Sequence, residues 1–374
     1  MDTEHLFESV PNFSEGQDHG TIAAIAGAAS RAHVLDVDPD PDHHRVVISL
    51  AGFGSKLLEA LMASIGTAVD RIDVRSHRGV HPRVGAADVV PIVPLSETTL
   101  ASCRQLAREL GERIWAELQV PVYFYGEHQT LADVRAGRGR LDLGGPGLHP
   151  TAGAVCVGAR NKLVAFNVML PGMDLREARA LARSLRESQA GRSGVQALAF
   201  ELPGGRAQLS MNLFRLEETT PATVVAELQQ RGVVIGSQQV VGLCPATASN
   251  PAAAGRLLEA RLAAEAARAG SLRCRERGGE EHVALAARLE READGIAGLG
   301  MDQTDLLAGA ERSAALVQVL SAAGVLDGEL ESMLVDAARG LRAAISPETQ
   351  AAYVARVAAL TRRLDSVRAT DRPS

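Results

Sequence analysis

The 374-residue sequence predicts an α+β fold: two α/β sandwich subdomains with mixed sheets, followed by a helical C-terminal appendage. Three observations predict it. Strand-like and helix-like stretches alternate over residues 1–171, a second alternation begins near Gly172, and no strand pattern follows about residue 250. We therefore predict subdomains at 1–171 and 172–300, and a helical tail at 301–374 whose role the sequence does not define.

The first predicted subdomain alternates in a regular order: strand, helix, two strands around a turn, helix, buried strand, helix, aromatic strand, long loop and strand. The corresponding segments are HLFESVPNF (ending at Pro11), residues 21–32, VLDVD and RVVISLAG, residues 55–69, ADVVPIVPL, a helix with Ser96 as N-cap, PVYFYG, the Gly- and Pro-rich residues 136–154, and VGARNKLVAFNVML.

The second predicted subdomain opens with a helix whose first turn holds a capping box of Asp174 and Glu177. A strand at AQLSMNLFRL follows, and Thr220 before Pro221 then marks another helix start. VVIGSQQVVGLCP is typical of a further pair of strands. Beyond it, five amphipathic segments predict helices, the last of them at PETQAAYVARVAALTRRLD.

The composition excludes several classes of protein. A net charge of −6 provides no basic surplus for binding nucleic acid, and no apolar run reaches the roughly 18–20 residues that span a bilayer. The first residues lack the pattern of a signal peptide, and the four cysteines form no CxxC pair, so they predict buried free thiols. We expect a cytoplasmic protein that acts on small molecules, without a nucleic-acid or membrane partner.

The loop RSHRGVHPRVGAADVVP is the strongest candidate for chemistry. It places His77 and His81 beside Arg83 and Asp88, and Pro82 restricts the backbone next to His81. Nearby positive charge lowers the pKa of a histidine and keeps it neutral, as a general base requires. The alternative is that His81 only caps a strand.

Other motifs give weaker signals. Neither His77 with His81 nor the aspartates of DVDPDPD have the spacing of a metal site, so we predict no metal. No dinucleotide fingerprint, P-loop or GxSxG elbow is present in the sequence. In GARNKLVAFN, Arg160 and Lys162 precede an apolar strand, where two cations and backbone amides suit a carboxylate or a heteroaromatic ring.

Several long motifs occur together and in one order: VPNFSEG, LDVDPDPDHHR, HRGVHPRVGAADVVPIVP, PVYFYGE, GARNKLVAFN, SMNL and GSQQVVGL. In these motifs the chain resembles the formiminotransferase family, clearly over residues 5–250. The resemblance implies a transferase module of two α/β subdomains, with folate held in the groove between them.

The implied activity is that of a glutamate formimidoyltransferase. It moves the formimino group from N-formimino-L-glutamate to N5 of tetrahydrofolate, a step of histidine degradation, with folate as co-substrate and no metal. The family's catalytic histidine falls on His81, and Asp38 and Arg45 match positions that line the same cleft. The family's folate-binding segment falls on Gly158, Ala159, Arg160, Asn161, Lys162, Leu163, Val164, Ala165, Phe166 and Asn167.

The sequence departs from the family pattern at a few positions. Val80 stands where many relatives carry Glu, and His44 where Asn often precedes the arginine. These departures leave two alternatives: a folate-dependent transferase of the same fold with another formyl or formimino donor, and a folate-binding scaffold without turnover. The tail does not resemble a cyclodeaminase domain, so we predict no cyclodeaminase activity; its apolar stripes predict packing on the second subdomain or a homodimer contact.

Overall fold

The computed structural model of the chain describes residues 5–355, and it confirms the predicted α+β class. The strands are β1 Leu6–Ser9, β2 Asn12–Phe13, β3 His33–Asp40, β4 Arg45–Phe53, β5 Ala87–Pro94, β6 Val122–Tyr125, β7 Val155–Ala159, β8 Val164–Met169, β9 Val195–Leu202, β10 Arg206–Leu213 and β11 Gln238–Val241. The helices are α1 His19–Ala28, α2 Gly54–Arg71, α3 Leu100–Arg113, α4 Leu131–Arg135, α5 Leu175–Leu185, α6 Pro221–Gln230, α7 Leu258–Arg277, α8 Glu280–Ala297, α9 Gln303–Ala322 and α10 Gly328–Ala343.

The first sheet is mixed and contains β1 to β7. β3 and β4 form an antiparallel hairpin, β1 and β2 both lie between β4 and β5, and β5, β7 and β6 run parallel. The predicted single strand over HLFESVPNF is thus two short strands, because Pro11 has no N–H to continue the ladder. The carbonyl oxygen of Pro11 still accepts a hydrogen bond from Ile48 N at 3.0 Å.

The two faces of this sheet have different partners. Side chains alternate along β4, so Val46, Ile48 and Leu50 enter a core with α1, α2 and α3. The opposite face carries Ala51, which joins a second core made mainly by the C-terminal helices. At the first residue of β4, Arg45 lies on that same opposite face, near the second sheet.

The second sheet is antiparallel throughout, in the order β11-β8-β10-β9. One face packs against α5 and α6 through an apolar core that includes Phe166 and Leu209. The predicted capping box at α5 is confirmed, since Glu177 N donates to Asp174 Oδ1 at 2.8 Å and Asp174 N donates to Glu177 Oε2 at 3.2 Å. In place of the predicted strand pair over VVIGSQQVVGLCP there is one strand, β11, and the N-cap of α3 is Thr99 rather than Ser96.

Helices α7 to α10 close over the first sheet. Leu306 and Ala310 of α9, two residues of the predicted apolar stripe, are buried with Leu330 of α10 in the core that also holds Leu6 and Leu35 of the first sheet. These two residues are therefore covered within the chain, whereas Leu307, Ala314 and Val317 of the same stripe are half-buried. Of the last predicted helix, residues 347–355 are helical and the remainder lies outside the described residues.

The chain passes from the first sheet to the second between Ala159 and Val164, and the long C-terminal helices begin at Leu258. The subdomain boundaries at 171/172 and 300/301 stay predictions. None of the helices in residues 5–355 is long and apolar enough to cross a membrane.

One ion cluster joins the first sheet to the C-terminal helices. His33 Nδ1 lies 3.6 Å from Glu265 Oε1, and His33 Nε2 lies 3.8 Å from Glu329 Oε2. Glu329 also pairs with Lys56 and accepts a hydrogen bond from Phe53 N at 2.7 Å. Burial opposes the charge on His33, but the two glutamates outweigh it and raise its pKa to about 9. Burial likewise opposes the charge on Glu329, but its donors lower its pKa to about 2.

The cluster predicts how stability depends on pH. The stabilisation from His33 is fully present below pH 6.5, its unfolded pKa, and is lost as pH rises through about 9. The stabilisation from Glu329 is present above pH 4.5 and is lost as pH falls through about 2. We expect His33→Gln to remove on the order of 3 kcal/mol of the free energy of unfolding at pH 6, and less at pH 9.5. Denaturant titrations at both pH values test this, with the exposed His128→Gln as control; an equal loss at both would contradict it.

Candidate active site

The candidate site lies where the loop of residues 77–83 and the β3–β4 turn meet the second sheet. The ring of His81 packs against Phe200 of β9, with ring centroids 5.5 Å apart. His43, from the turn, lies 5.9 Å from His81 and 5.2 Å from Phe200. Both sheets therefore contribute to the surroundings of His81.

The hydrogen bonds of His81 fix its tautomer. Nδ1 lies 2.8 Å from the carbonyl oxygen of Pro82, so the ring N–H is at Nδ1. Nε2 then carries the lone pair and accepts from Arg45 Nη1 at 2.9 Å; the same Nη1 lies 3.0 Å from Nδ1, so the guanidinium group sits beside both ring nitrogens. Burial, followed by the charges of Arg45 and Arg135, lowers the pKa of His81 far below its usual value. His81 is thus a neutral imidazole whose basic nitrogen faces a guanidinium group.

Arg45 is held at the first position of β4 by groups from neighbouring strands. Its Nη2 donates to Asn12 Oδ1 and lies 3.9 Å from Asp88 Oδ2. Burial lowers the pKa of Arg45 to about 10, so it remains charged at neutral pH. Asp88 accepts from Val84 N at 2.5 Å and from Arg135 Nη2 at 3.1 Å. Because the guanidinium groups of Arg45 and Arg135 share the single carboxylate of Asp88, the side of His81 that contacts Arg45 carries positive charge.

His44, in the β3–β4 turn, holds residues 77 and 78 of the loop in place. Its ring lies 4.0 Å from that of His77, between centroids, and its nitrogens contact Glu15 Oε1 at 3.0 Å and the carbonyl of Arg78 at 2.8 Å. Its backbone is left-handed, with φ of 51°, a conformation that Asn and His tolerate better than most residues. This backbone conformation suits both His44 and the Asn that the family resemblance places at this position. The side chain of His44 contacts the loop and Glu15, so it supports the loop.

The neighbour of His81 in sequence, Val80, is 40% exposed. At the other end of the loop, burial and the adjacent Arg83 lower the pKa of His77 to about 4. His77 Nε2 lies 2.9 Å from the carbonyl oxygen of His44, so this second histidine belongs to the loop's support.

At Gly79 the backbone of the loop lies close to the β3–β4 turn. A Cβ there would lie 2.6 Å from Arg83 Nη2 and 2.7 Å from the backbone oxygen of His43. We expect Gly79→Ala to displace the loop and to lower kcat/KM by about 10–100-fold, because small misplacements of a catalytic group are costly. Steady-state kinetics test this. Gly145→Ala, where a Cβ meets nothing within 4 Å, is the matched control, and equal activity of the two variants would refute the prediction.

A polar cavity adjoins His43 on the side of the second sheet. His43 is 4% exposed, and its Nε2 lies 2.7 Å from Gln208 Oε1 while its Nδ1 is buried without a partner among the described residues. The cavity has a volume of about 160 Å³ and is lined by Asp40, Asp42, Asn167, Met169, Leu202, Arg206, Gln208, Ser237 and Gln239. His81 therefore lies between a cationic side and a side rich in amides.

The structure brings some of the predicted site residues together. His81 and Arg45 are in contact, as the family resemblance implied for one cleft. Asp38 has protein partners: it is 7% exposed, its Oδ2 accepts from Gly242 N at 2.8 Å, and its Oδ1 accepts from Arg256 Nη2 at 3.0 Å. These contacts tie β3 to the segment after β11, and a substrate contact for Asp38 stays a prediction.

The predicted folate-binding segment, residues 158–167, links the two sheets. Gly158 is pressed against the backbone of Tyr125, where a side chain has no room, and Arg160 N donates to the carbonyl of Ile92 at 3.1 Å. Burial lowers the pKa of Arg160, and its charge lies near Tyr125 and the buried Glu8. Val164 and Phe166 point into the core, so Asn167 is among the side chains of β8 left to face the cleft. The binding role of the segment stays a prediction.

Sequence reasoning did not find four of the residues around His81. Asn12 and Arg135 hold Arg45 and Asp88, while Phe200 and Gln208 come from the second sheet. Asn12 lies within the motif VPNFSEG, so the family resemblance could have identified it as a site residue. Over residues 5–355, no group of three or more His, Cys, Asp or Glu side chains is arranged to hold a metal ion.

The fold and the site define an α+β protein in which a neutral histidine lies beside arginines, an arrangement suited to acid–base chemistry. The family model for the formiminotransferase domain, N-terminal subdomain, matches residues 6–160. The glutamate formimidoyltransferase of Thermoplasma acidophilum is 36% identical over 268 residues, which cover 64% of this chain and 88% of that protein. That of Streptococcus pyogenes serotype M1 is 35% identical over 269 residues, or 65% and 90% of the two chains. The rat formimidoyltransferase-cyclodeaminase is 36% identical over 282 residues, or 67% of this chain and 52% of that one.

The chain belongs to the formiminotransferase family, and its activity is that of a glutamate formimidoyltransferase. The transfer of a formimino group is therefore the reaction for which the site must account.

Proposed function

We propose that the chain transfers the formimino group of N-formimino-L-glutamate to N5 of tetrahydrofolate, as a step of histidine degradation. The observation that carries the proposal is the neutral His81, whose Nε2 faces Arg45 at 2.9 Å. Formimino transfer needs one group that removes a proton from the attacking amine and returns it to the leaving nitrogen. A neutral imidazole with a fixed tautomer supplies both steps.

In the proposed reaction, N5 of tetrahydrofolate attacks the formimino carbon and forms a tetrahedral intermediate. His81 Nε2 takes the proton from N5 and then delivers it to the nitrogen of the departing glutamate. The bond between the formimino carbon and that nitrogen breaks, which leaves 5-formiminotetrahydrofolate and glutamate. The charged Arg45 and Arg135 do not favour a lasting imidazolium, so they promote return of the proton.

Arg45 has a second role in this proposal. Without substrate it donates to Nε2 of His81 and occupies the lone pair that the reaction needs. A carboxylate of the donor is a stronger acceptor for a guanidinium than an imidazole nitrogen is. Binding of the donor to Arg45 would therefore free Nε2 and place the formimino group beside it.

A coupled absorbance assay tests the proposal. The purified chain is incubated with formiminoglutamate and tetrahydrofolate, the product is converted in acid to the methenyl form, and its absorbance is measured. N-Formylglutamate and formimino derivatives of other amino acids serve as competing donors. Turnover with formiminoglutamate above all other donors is expected; preference for another donor, or folate binding without turnover, would overturn the assignment. Within the proposal, a cytoplasmic location and a homodimer contact stay predictions.

A further inference from the structure

The β3–β4 turn, residues 41–44, contains a buried histidine that the proposed reaction does not use. His43 is 4% exposed, and its Nε2 lies 2.7 Å from Oε1 of Gln208 on β10. Since an amide oxygen only accepts hydrogen bonds, Nε2 of His43 carries the ring hydrogen and donates it. A side chain from the turn of the first sheet is therefore oriented by an acceptor on the second sheet.

The other ring nitrogen of His43 has no partner. Its Nδ1 is buried and forms no hydrogen bond with any residue within 5–355. A buried polar atom in this state lowers stability, and an apolar side chain of similar size would avoid the penalty. Stability of the turn therefore does not account for an imidazole at position 43, and its contacts with neighbouring rings indicate another role.

Three rings meet at His43. The centroid of the His43 ring lies 5.2 Å from that of Phe200, at an interplanar angle of 86°, and 5.9 Å from that of His81, at 65°. The rings of His81 and Phe200 lie 5.5 Å apart. These separations are typical of aromatic rings in contact. Phe200 is opposite Gln208 in the register, so His43 meets both β9 and β10 at the level of His81.

The surroundings of His81 combine charged groups with these rings. The charged groups come from the first sheet, from α4 and from the loop itself: Arg45, Asp88, Arg135 and Arg83. His43 and Phe200 add ring surface, which removes water from the imidazole. Burial is the largest cause of the lowered pKa of His81, ahead of the charge of Arg45. The contact with His43 and Phe200 therefore helps to keep His81 neutral.

A second contact joins the same turn to β10. Asp42 Oδ2 accepts from Arg206 Nη2 at 2.8 Å, and the two side chains are 36% and 52% exposed. This pair docks the turn on the strand two residues before Gln208, but it lies at the solvent. It therefore offers a way to separate docking of the turn from contact with His81.

We propose that His43 is a positioning residue for His81: Gln208 orients the His43 ring, and His43 and Phe200 together cover the imidazole of His81. This inference rests on the proposed function, in which His81 is the base. An imidazole suits position 43 because it combines an N–H donor for Gln208 with a ring that packs against two others. His81 then reaches its neutral, oriented form only when the second sheet is docked on the turn.

Side-chain NMR of the intact chain with isotopically labelled histidine tests the inference. The signal of His81 is assigned by its loss in His81→Gln. We expect His81 not to titrate between about pH 5 and 8 in the unaltered chain, and to titrate within that range in His43→Ala because water reaches its ring. The kcat/KM of His43→Ala should fall about tenfold or more, and further at pH 6 than at pH 8, since a proton then occupies the basic nitrogen. Asp42→Asn, the matched control, should leave the titration of His81 unchanged.

The outcomes separate this inference from the proposed function. If His81 does not titrate between pH 5 and 8 in His43→Ala, or if Asp42→Asn changes its titration equally, the inference is overturned. If His81 titrates as expected but activity does not follow its protonation, the positioning of His81 is supported and only its proposed role as the base fails.

Unfolding midpoints identify a variant that is misfolded, and Gln208→Leu then provides the second test. This change keeps the ring of His43 but removes the acceptor that orients it. The titration of His81 should move in the same direction as in His43→Ala, by a smaller amount. An unchanged titration in Gln208→Leu would also overturn the inference.

Discussion

Replacing His81 with alanine is expected to lower kcat by about 10²–10⁴-fold, the contribution typical of a general acid–base group. Binding of tetrahydrofolate should persist, because the folate-binding segment that the family resemblance implies, residues 158–167, does not include His81. The coupled assay measures the loss of turnover, and equilibrium binding measures the retention of folate. His128→Ala, at an exposed histidine, is the control. A His81→Ala variant that retained full turnover would remove His81 from the mechanism.

The lowered pKa of His81 also predicts how activity depends on pH. The pKa of His81 is far below its usual value, so His81 remains neutral throughout the range from pH 5 to 8. We therefore expect no acid limb from His81 in the pH profile of kcat/KM over that range. A limb near pH 6.5 that vanished in the His81→Ala residual activity would show that the imidazole titrates normally.

Replacing Arg45 with methionine is the second change with a large expected effect. Methionine keeps much of the volume but removes the charge that faces His81 Nε2. We expect kcat/KM to fall by about 10–100-fold, mainly through KM for the donor, because hydrogen bonds to charged groups are worth roughly 1.5–3 kcal/mol. Kinetics with each substrate varied in turn separate the effect on the donor from that on folate.

Arg45→Met should also alter the pH profile. Burial is the largest cause of the low pKa of His81, and the positive charge of Arg45 is the next. Removal of that charge raises the pKa of His81, so an acid limb should appear at higher pH than in the unaltered chain. Arg75→Met, at an exposed arginine that pairs with Asp73, is the control and should leave the profile unchanged. An effect on stability alone, with the same KM and profile, would contradict the role given to Arg45.

The sequence allowed prediction of the parts of the site that are local in the chain. The loop around His81 predicted a neutral histidine, and the pKa of His81 is indeed lowered, but by burial and by the charges of Arg45 and Arg135 rather than by the arginines of the loop. The motif LDVDPDPDHHR placed Arg45 in the same cleft through the family resemblance. Both predictions depend on residues that lie close together in sequence or in one long motif.

The remainder depends on contacts between distant segments. Phe200 and Gln208 lie more than 100 residues after His81, on strands whose polar face has the alternation of any half-exposed sheet. Asp38 is a further example: the family resemblance implied a place in the cleft, and the structure adds a contact with Arg256, which lies far along the chain and which local patterns do not reveal. Pro11 predicted that the first strand ends there, but only the sheet shows that β2 then pairs with β4 and β5, the same partners as β1.

The core shared by the first sheet and helices α7 to α10 has a consequence for biosynthesis. Leu6, Leu35 and Leu95 belong to the part of the chain that leaves the ribosome first, and their partners on α7 and α10 follow roughly 160 to 340 residues later. Until those helices emerge, one apolar face of the nascent sheet has no cover. At translation rates of about 5–20 residues per second, this interval lasts on the order of ten seconds or more, long enough for chaperones to bind the exposed face.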